Sequence, residues 1–350
     1  MLAVLIPFLS GCASPAYYSQ AISGHMQLMR QREDITALLN SGKTDPELAR
    51  ELELSAEILD FATDQLLLPD NGSYRQFVQT GRDAVTWNVV AAPEFSLRPK
   101  LWCFIVSGCV AYRGYFQTGD AERLAEKLAD AGYDTSVSPA IAYSTLGWFD
   151  DPLLDTMIQY SDEQLAAFIF HELAHQQLYV RGDMSFNEAW AGFIEQTGVR
   201  LWLESSGRSA RLPGWLKQES AGIQFNSLLQ DIQKKLNALY ASDLPEEQMR
   251  TEKVRVFGNL QDAYRQMVEL QWDGHSYYSA MFSRELNNAS LALVNSYQGG
   301  FCAFTQLYQS AQEDMGRFQQ LAREKAKLNA EQRRAWLQQS CEVIASGSDL

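Results

Sequence analysis

Residues Ser161–Gly198 read SDEQLAAFIFHELAHQQLYVRGDMSFNEAWAGFIEQTG and predict two consecutive helices. Ser161 followed three residues later by Gln164 is the capping-box pattern of a helix N-terminus. The apolar run at residues 165–170 leads directly into two histidines, and a second helical segment follows after a short connection. We expect Gly207 to end the second helix, because glycine readily adopts the left-handed conformation just past a helix C-terminus.

His171, Glu172 and His175 form an HExxH motif on the first of these helices. Four residues are just over one helical turn, so the two histidines project from the same face. Two imidazoles so placed can both reach one zinc ion at about 2 Å. Glu172 lies about 100° around the helix from His171, where a carboxylate can take a proton from metal-activated water. The motif predicts a metal site with a general base; the alternative is a helix with two histidines and no metal.

The third metal ligand decides the class of site, because two histidines need a further protein ligand. No histidine occurs in the second helix, so we expect a carboxylate from it. We favour Glu188, which can point back at the zinc ion if the two helices pack antiparallel. The rival interpretation places Glu188 in a capping box with Ser185. Glu195, two turns further on, and Asp183, in the connection, are weaker candidates.

The composition suits a globular protein with a substantial core, since 46% of the 350 residues are hydrophobic and 21% are charged. Mean hydropathy is −0.26, which argues against a polytopic membrane protein. The net charge is −14, and the acidic residues are scattered along the chain. Nucleic-acid binding would need clustered Lys and Arg, so we expect no nucleic-acid partner.

Residues 1–12, MLAVLIPFLSGC, predict a processing signal rather than part of the fold. Their apolar run is far shorter than the roughly 20 residues of a membrane-spanning helix. The last four, LSGC, resemble a bacterial lipobox, in which Cys12 becomes the lipidated N-terminus after cleavage. The alternatives are a plain secretory signal or a buried N-terminal strand. We expect a domain tethered by this lipid anchor at the periplasmic face of the outer membrane.

Four cysteines remain once Cys12 is set aside, an even count that predicts two disulfides in an exported protein. Proximity in the sequence favours Cys103–Cys109 and Cys302–Cys341, although four cysteines permit three connectivities. None lies in a CxxC pair, so we do not expect a cysteine-based zinc site.

The periodicity of the chain predicts an α+β architecture. Apolar residues recur at helical spacing to about residue 68, where the segment PDNGSY ends the pattern. Runs of Val, Ile and aromatic residues then predict strands, with one helix at Asp120–Ala131, and the chain is mostly helical after Ser161. We expect a signal, a helical lead, a core with a small mixed sheet and the HExxH helix, and a long helical C-terminal lobe. Their boundaries are residues 1–12, 13–82, 83–207 and 208–350.

The segments HELAHQ and NEAWA resemble those of the glutamate-liganded zincin metallopeptidases. More closely, the chain is similar to the zinc aminopeptidase lipoproteins of Gram-negative bacteria. This resemblance implies a zincin-like fold, zinc as the cofactor and a peptide substrate. It covers most of the chain, through the lipobox and GCVAYRGYF at 108–116, AYSTLGWFDDPLL at 142–154, HELAHQ at 171–176, NEAWA at 187–191 and LNNASLAL at 286–293.

The resemblance also implies roles for single residues. His171, His175 and Glu188 would be the zinc ligands, and Glu172 would be the general base. Zincins place an edge strand beside the cleft, to which a peptide adds as a further strand. Ala140–Phe149 has the matching place in the sequence, although an ordinary core strand would look the same.

Peptide hydrolysis also needs a group that stabilises the oxyanion of the tetrahedral intermediate. The candidates are Tyr143, His275 and Tyr297, with Tyr112 and Arg113 as further alternatives. A lone histidine in a loop such as QWDGHSYYS is more often a solvated residue.

Three functions therefore compete. The leading one is a zinc peptidase, which the resemblance makes an aminopeptidase, and the nearest rival is a zinc endopeptidase. The third is a non-catalytic envelope lipoprotein, a scaffold whose metal site is structural or empty. An exopeptidase needs an acidic group for the free amine of its substrate, and the sequence identifies no such residue.

Overall fold

The computed structural model describes residues 15–104, 108–142, 149–294 and 300–338, and these form a mixed α+β fold in which helices predominate. The expected α+β class is confirmed. The helices are α1 (Pro15–Arg30), α2 (Ile35–Asn40), α3 (Pro46–Asp64), α4 (Thr118–Asp130), α5 (Asp162–Gln177), α6 (Met184–Ser205), α7 (Leu212–Tyr240), α8 (Glu246–Leu270), α9 (Ser279–Phe282), α10 (Asn288–Leu291), α11 (Phe301–Ser310), α12 (Met315–Ala326) and α13 (Ala330–Leu337).

The strands are short and form small sheets. They are β1 (Glu33–Asp34), β2 (Gln76–Val78), β3 (Thr86–Pro93), β4 (Trp102–Phe104), β5 (Gly108–Val110), β6 (Arg113–Tyr115), β7 (Tyr133–Ala140) and β8 (Leu153–Leu154). One three-stranded sheet has the order β6–β3–β7 and is antiparallel. A second has the order β1–β2–β8, with β1 antiparallel and β8 parallel to β2. The pair β4–β5 is antiparallel.

The chain divides into two compact units, each built from three separate segments. The first unit comprises Met1–Gln31, Thr80–Tyr143 and Ala221–Val294, and the second comprises Arg32–Gln79, Ser144–Ser220 and Asn295–Leu350. The linear boundaries expected from the sequence stay a prediction.

The first unit packs α4 against the antiparallel sheet, around a core that includes Val89, Trp102 and Ala121. A second core joins α7 and α8, with Phe225 and Leu260 among its buried residues. Most of the strands that the sequence predicts between about residue 68 and Ser161 lie in this unit.

The second unit holds the two helices of the opening segment together with the mixed sheet. Two of the three strands of this mixed sheet, β1 and β2, precede residue 83 and lie in the segment that the sequence predicts as helical. Strands of two or three residues are too short to show the two-residue alternation that identifies a strand in sequence. The proposed substrate-binding strand, Ala140–Phe149, lies mostly outside the described residues, since only its ends are described.

The disulfide between Cys103 and Cys109 is confirmed, and it joins two residues that face each other across β4 and β5. Cys302 is also disulfide-bonded. Cys341 and Cys12 lie outside the described residues, so the pairing Cys302–Cys341 and the lipidation of Cys12 stay predictions. Among the described helices, none combines the length and the apolar character that crossing a membrane requires.

Candidate functional site

The HExxH helix begins as the sequence indicates. The Ser161 side chain accepts a hydrogen bond from the Gln164 N–H, and the Gln164 side chain accepts one from the Ser161 N–H, so the capping box is confirmed. Leu165, Ile169 and Phe170 are almost completely buried, which seats the helix in the core of the second unit. The helix therefore presents its two histidines from a fixed scaffold.

Helix α6 runs antiparallel to α5. Trp190 Nε1 donates to the Ala174 carbonyl at 2.8 Å, and further along α6 the backbone of Gly198 meets the Phe170 ring. A Cβ atom at Gly198 would lie 2.8 Å from Cδ2 of Phe170, so glycine permits this close approach. The helix ends at Ser205, and Gly207 follows with φ of +75°, as expected.

His171, His175 and Glu188 form a possible metal-binding triad, because one ligand atom from each lies within 4.8 Å of the others. The two Nε2 atoms are 3.1 Å apart. Glu188 Oε2 is 3.5 Å from His171 Nε2, and Glu188 Oε1 is 3.7 Å from His175 Nε2. The structure thus brings together the three residues that the sequence pointed to.

These distances fit a zinc ion. Tetrahedral zinc with bonds of about 2.0–2.1 Å separates its ligand atoms by about 3.3–3.4 Å. The Oε2 atom of Glu188 is buried and has no hydrogen-bond partner among the described residues, an arrangement that a cation would satisfy. Two imidazoles and one carboxylate are also a common ligand set of catalytic zinc sites, which keep one position open.

Glu195 lies on the outer side of this triad rather than within it. Its Oε2 atom is 2.9 Å from Nδ1 of His171, while Nε2 of His171 faces the other ligands. A carboxylate at Nδ1 keeps the proton on that nitrogen and leaves the Nε2 lone pair for a metal. This contact suits Glu195 to orienting the His171 ring, whereas the sequence had made it a weaker candidate for a ligand.

Asp183 is the N-cap of α6, accepting from the Phe186 N–H at 3.1 Å, and its Oδ2 atom pairs with Arg333 at 2.7 Å. It is not a member of the triad, because its carboxylate is already engaged. The rival capping box of Ser185 and Glu188 is also wrong, since the helix begins before Ser185. Neighbouring Asn187 is buried and bonds the backbone of Val180 through both its side-chain atoms.

Without a metal ion, the two imidazoles of the triad carry one proton more at neutral pH than their neutral forms do. Burial opposes a charge on His171, but Glu188, Glu195 and Glu172 outweigh it and raise the pKa of His171 to about 10. Burial and then the positive charge of His171 lower the pKa of His175 to about 4. The facing nitrogens thus hold a single positive charge, and a metal ion would have to replace that proton.

The charges around the site also shift the pKa values of Tyr74 and Glu219, two residues that the sequence analysis did not identify. Burial first, and then the charges of Glu172 and Asp151, raise the pKa of Tyr74 well above its ordinary value. Burial first, and then the charge of Glu195, raise the pKa of Glu219 to about 7. Tyr74 belongs to the segment PDNGSY, which the sequence marks only as the end of a helical pattern, so no signal distinguished it.

The structure leaves the oxyanion candidates open. Tyr143 and Tyr297 lie outside the described residues. His275 belongs to the first unit, where it is exposed and its ring stacks on Tyr277 at 5.5 Å.

Neither a comparison with curated proteins nor one with solved structures finds a match for the chain. A family model does match, over residues 16–337, and its description is "Putative aminopeptidase". The match covers nearly the whole chain, including α5, α6 and the triad that they present. The chain therefore belongs to this aminopeptidase family.

Proposed function

We propose that the protein is a zinc-dependent peptidase in which His171, His175 and Glu188 hold the metal and Glu172 is the general base. The convergence of three ligand atoms at separations of 3.1–3.7 Å carries this proposal. Membership of an aminopeptidase family supports the peptidase reaction. The mixed sheet, α5 and α6 within one unit support a zincin-like fold.

A bound zinc ion would polarise the substrate carbonyl and lower the pKa of a water molecule towards 7. The Glu172 carboxylate accepts a proton from the attacking water as the new carbon–oxygen bond forms. Glu172 then returns that proton to the leaving nitrogen as the carbon–nitrogen bond breaks. The products are a carboxylic acid and an amine, and the carboxylate is regenerated. Glu195 keeps the His171 ring oriented throughout, through its contact with Nδ1.

We further propose that the enzyme removes residues from the N-termini of peptides. The family supports this assignment over an endopeptidase. Peptides with a free or an acetylated N-terminus test it, because an aminopeptidase cleaves only the former. Cleavage of both at internal bonds would favour the endopeptidase.

A structural metal site in a scaffold protein is the competing function. Structural zinc sites close all four positions with protein ligands, usually including cysteine. The triad supplies three ligands without cysteine, and the charge of the adjacent Glu172, which is suited to act as a base, acts on His171. Both features favour catalysis.

We also propose that the protein works outside the cytoplasm, held at the outer membrane by lipid on Cys12. The disulfide Cys103–Cys109 supports an oxidising compartment. Mass spectrometry of membrane-extracted protein would test this, since acyl groups on Cys12 are expected and an unmodified N-terminus would contradict it.

The decisive experiment measures metal content and peptidase activity on the same preparations, purified without chelator. The parent protein should contain about one zinc ion per chain, and His171→Ala and Glu188→Ala should lose it. Glu172→Gln should keep the zinc and lose the activity. Activity that survives in Glu172→Gln would overturn the assigned base, and a parent protein without metal after zinc is restored would favour the scaffold.

A further inference from the structure

Tyr74 lies in the turn between α3 and β2, in the second unit that also holds the triad. It is only 2% exposed, and its φ of +61° lies in the left-handed region. Bulky side chains rarely adopt this conformation, and residues held in it cluster at functional sites. The backbone N–H of Tyr74 donates to the Asp151 carbonyl at 2.6 Å, which helps to hold the turn in this form.

The turn is tethered to the HExxH helix through Gln176. Asn71 Nδ2 donates to Gln176 Oε1 at 2.7 Å, and Gln176 Nε2 donates to Ser73 Oγ at 3.3 Å. Gln176 lies four residues after Glu172, so the two side chains share one face of α5. The turn that carries Tyr74 therefore lies along the face that carries the general base.

The Tyr74 hydroxyl can donate a hydrogen bond to a bound substrate. Burial and the charges of Glu172 and Asp151 raise its pKa, so the phenol stays protonated at neutral pH. The hydrogen bond that the structure shows for Tyr74 uses its backbone N–H, and no described residue contributes a hydrogen bond to the hydroxyl. A protonated donor whose turn lies on the face of the general base, and which has no acceptor among the described residues, suits an acceptor that arrives with the substrate.

We propose that Tyr74 is a catalytic residue whose hydroxyl donates a hydrogen bond to the carbonyl oxygen of the scissile bond as negative charge develops there. The inference rests on the proposed peptidase function. When water adds to the carbonyl carbon, the π electron pair moves onto this oxygen, and Tyr74 stabilises the charge while keeping its own proton. When the carbon–nitrogen bond breaks, the pair returns to the carbonyl, and the leaving nitrogen takes its proton from Glu172.

Tyr74→Phe tests the proposal, because it keeps the ring and removes the hydroxyl alone. With the zinc-loaded protein and a peptide substrate, kcat should fall by about 10²–10³-fold, the loss typical of one oxyanion donor, with KM nearly unchanged. A tetrahedral phosphinic peptide, whose oxygen mimics the oxyanion, should bind more weakly by a comparable factor in calorimetry. Zinc content should equal that of the parent.

Tyr308→Phe is the matched control. Tyr308 is a buried tyrosine of the same unit whose ring packs against Phe193 and Phe318, with no role in the site. It should leave kcat and inhibitor affinity unchanged. If Tyr74→Phe behaves like this control while Glu172→Gln is inactive, the role of Tyr74 is overturned and the peptidase function stands. If the parent binds zinc but hydrolyses no peptide, the proposed function fails instead.

A second variant tests whether the loss of activity in Tyr74→Phe arises from a disturbed structure rather than from the missing hydroxyl. Gln176→Ala removes the tether of the turn, so it should lower kcat in the parent background and have little further effect in Tyr74→Phe. Additive losses in the double variant, or loss of zinc from Tyr74→Phe, would contradict the catalytic assignment.

Discussion

Glu195 and Glu188 stand two turns apart on one face of α6, and both reach His171, one at each ring nitrogen. Glu195 Oε2 lies 2.9 Å from Nδ1, and Glu188 Oε2 lies 3.5 Å from Nε2. One helix thus supplies both a candidate metal ligand and the group that orients the ligand opposite it. Seven residues of helix are almost two full turns, so this arrangement follows from the backbone itself.

Glu195→Ala should weaken zinc binding by about 10–100-fold, because the partner that orients the His171 ring is lost. Competition with a chelator of known affinity measures this. Glu195→Gln, which retains an acceptor for the Nδ1 proton, should recover part of the loss. Glu204→Gln, on the exposed side of the same helix, is the control and should bind zinc as the parent does. Equal affinity in Glu195→Ala and the control would refute the orienting role.

Zinc affinity should rise with pH by up to tenfold per unit below about pH 10. His171 carries a proton over this range, since its pKa is raised to about 10, and zinc must displace that proton. His175, with its pKa lowered to about 4, releases none at neutral pH. Calorimetry in buffers of different ionisation enthalpy should therefore show close to one proton released per zinc ion. Affinity that does not change with pH would contradict this description of the triad.

The contribution of the two triad histidines to the stability of the metal-free protein should be greatest near pH 6.5. The raised pKa of His171 contributes stability that is complete below its ordinary value of 6.5 and is lost as pH rises through about 10. The lowered pKa of His175 works on the acid side, because the unfolded chain takes up a proton below 6.5 that the folded chain refuses until about pH 4. Thermal unfolding at several pH values, taken as the difference between the parent and a variant with both histidines replaced by alanine, should show this decline on both sides. With zinc bound, the alkaline decline due to His171 should disappear.

Gly198→Ala should lower the free energy of unfolding by about 1–3 kcal/mol, the usual cost of overpacking a core. The added methyl group would lie 2.7 Å from Leu66 Cδ1 and 2.8 Å from Phe170 Cδ2, so side chains or helices must move. Gly192→Ala on the same helix is the control, because a Cβ atom there meets nothing within 4 Å. The control should be neutral or slightly stabilising, since alanine favours helix over glycine. Equal denaturation midpoints for the two variants would contradict the view that the close approach of α5 and α6 requires glycine at position 198.

The parts of the molecule that sequence could predict are those governed by local rules. The capping box at Ser161, the helical spacing of His171 and His175, and the glycine after α6 all depend on neighbours within a few residues. Predicting Glu188 needed one further argument, namely that a metal site with two histidines requires a third protein ligand. The same reasoning could have predicted the contact of Glu195 with His171, because Glu195 lies almost two helical turns after Glu188 on the same face of α6.

The parts that sequence did not predict depend on distant residues. The strands β1, β2 and β8 are paired by neighbours far along the chain and are too short to show a period. Tyr74 takes its conformation from bonds between its turn and two later segments, at Asp151 and Gln176. A local pattern contains neither contact.

The composition of the second unit from three segments has a consequence for synthesis. Phe193 of α6 packs against Phe304 and Phe318, with ring centroids 6.2 and 4.9 Å apart, and Trp190 packs against Phe318 at 5.5 Å. These partners are made more than a hundred residues after Glu188. As the chain emerges from the ribosome N-terminus first, the part of α6 that packs against these rings stays exposed until they are made. A chain that stops before residue 300 would contain the full HExxH motif but not the aromatic rings that pack on this part of α6, so its triad would stand on an incompletely packed helix.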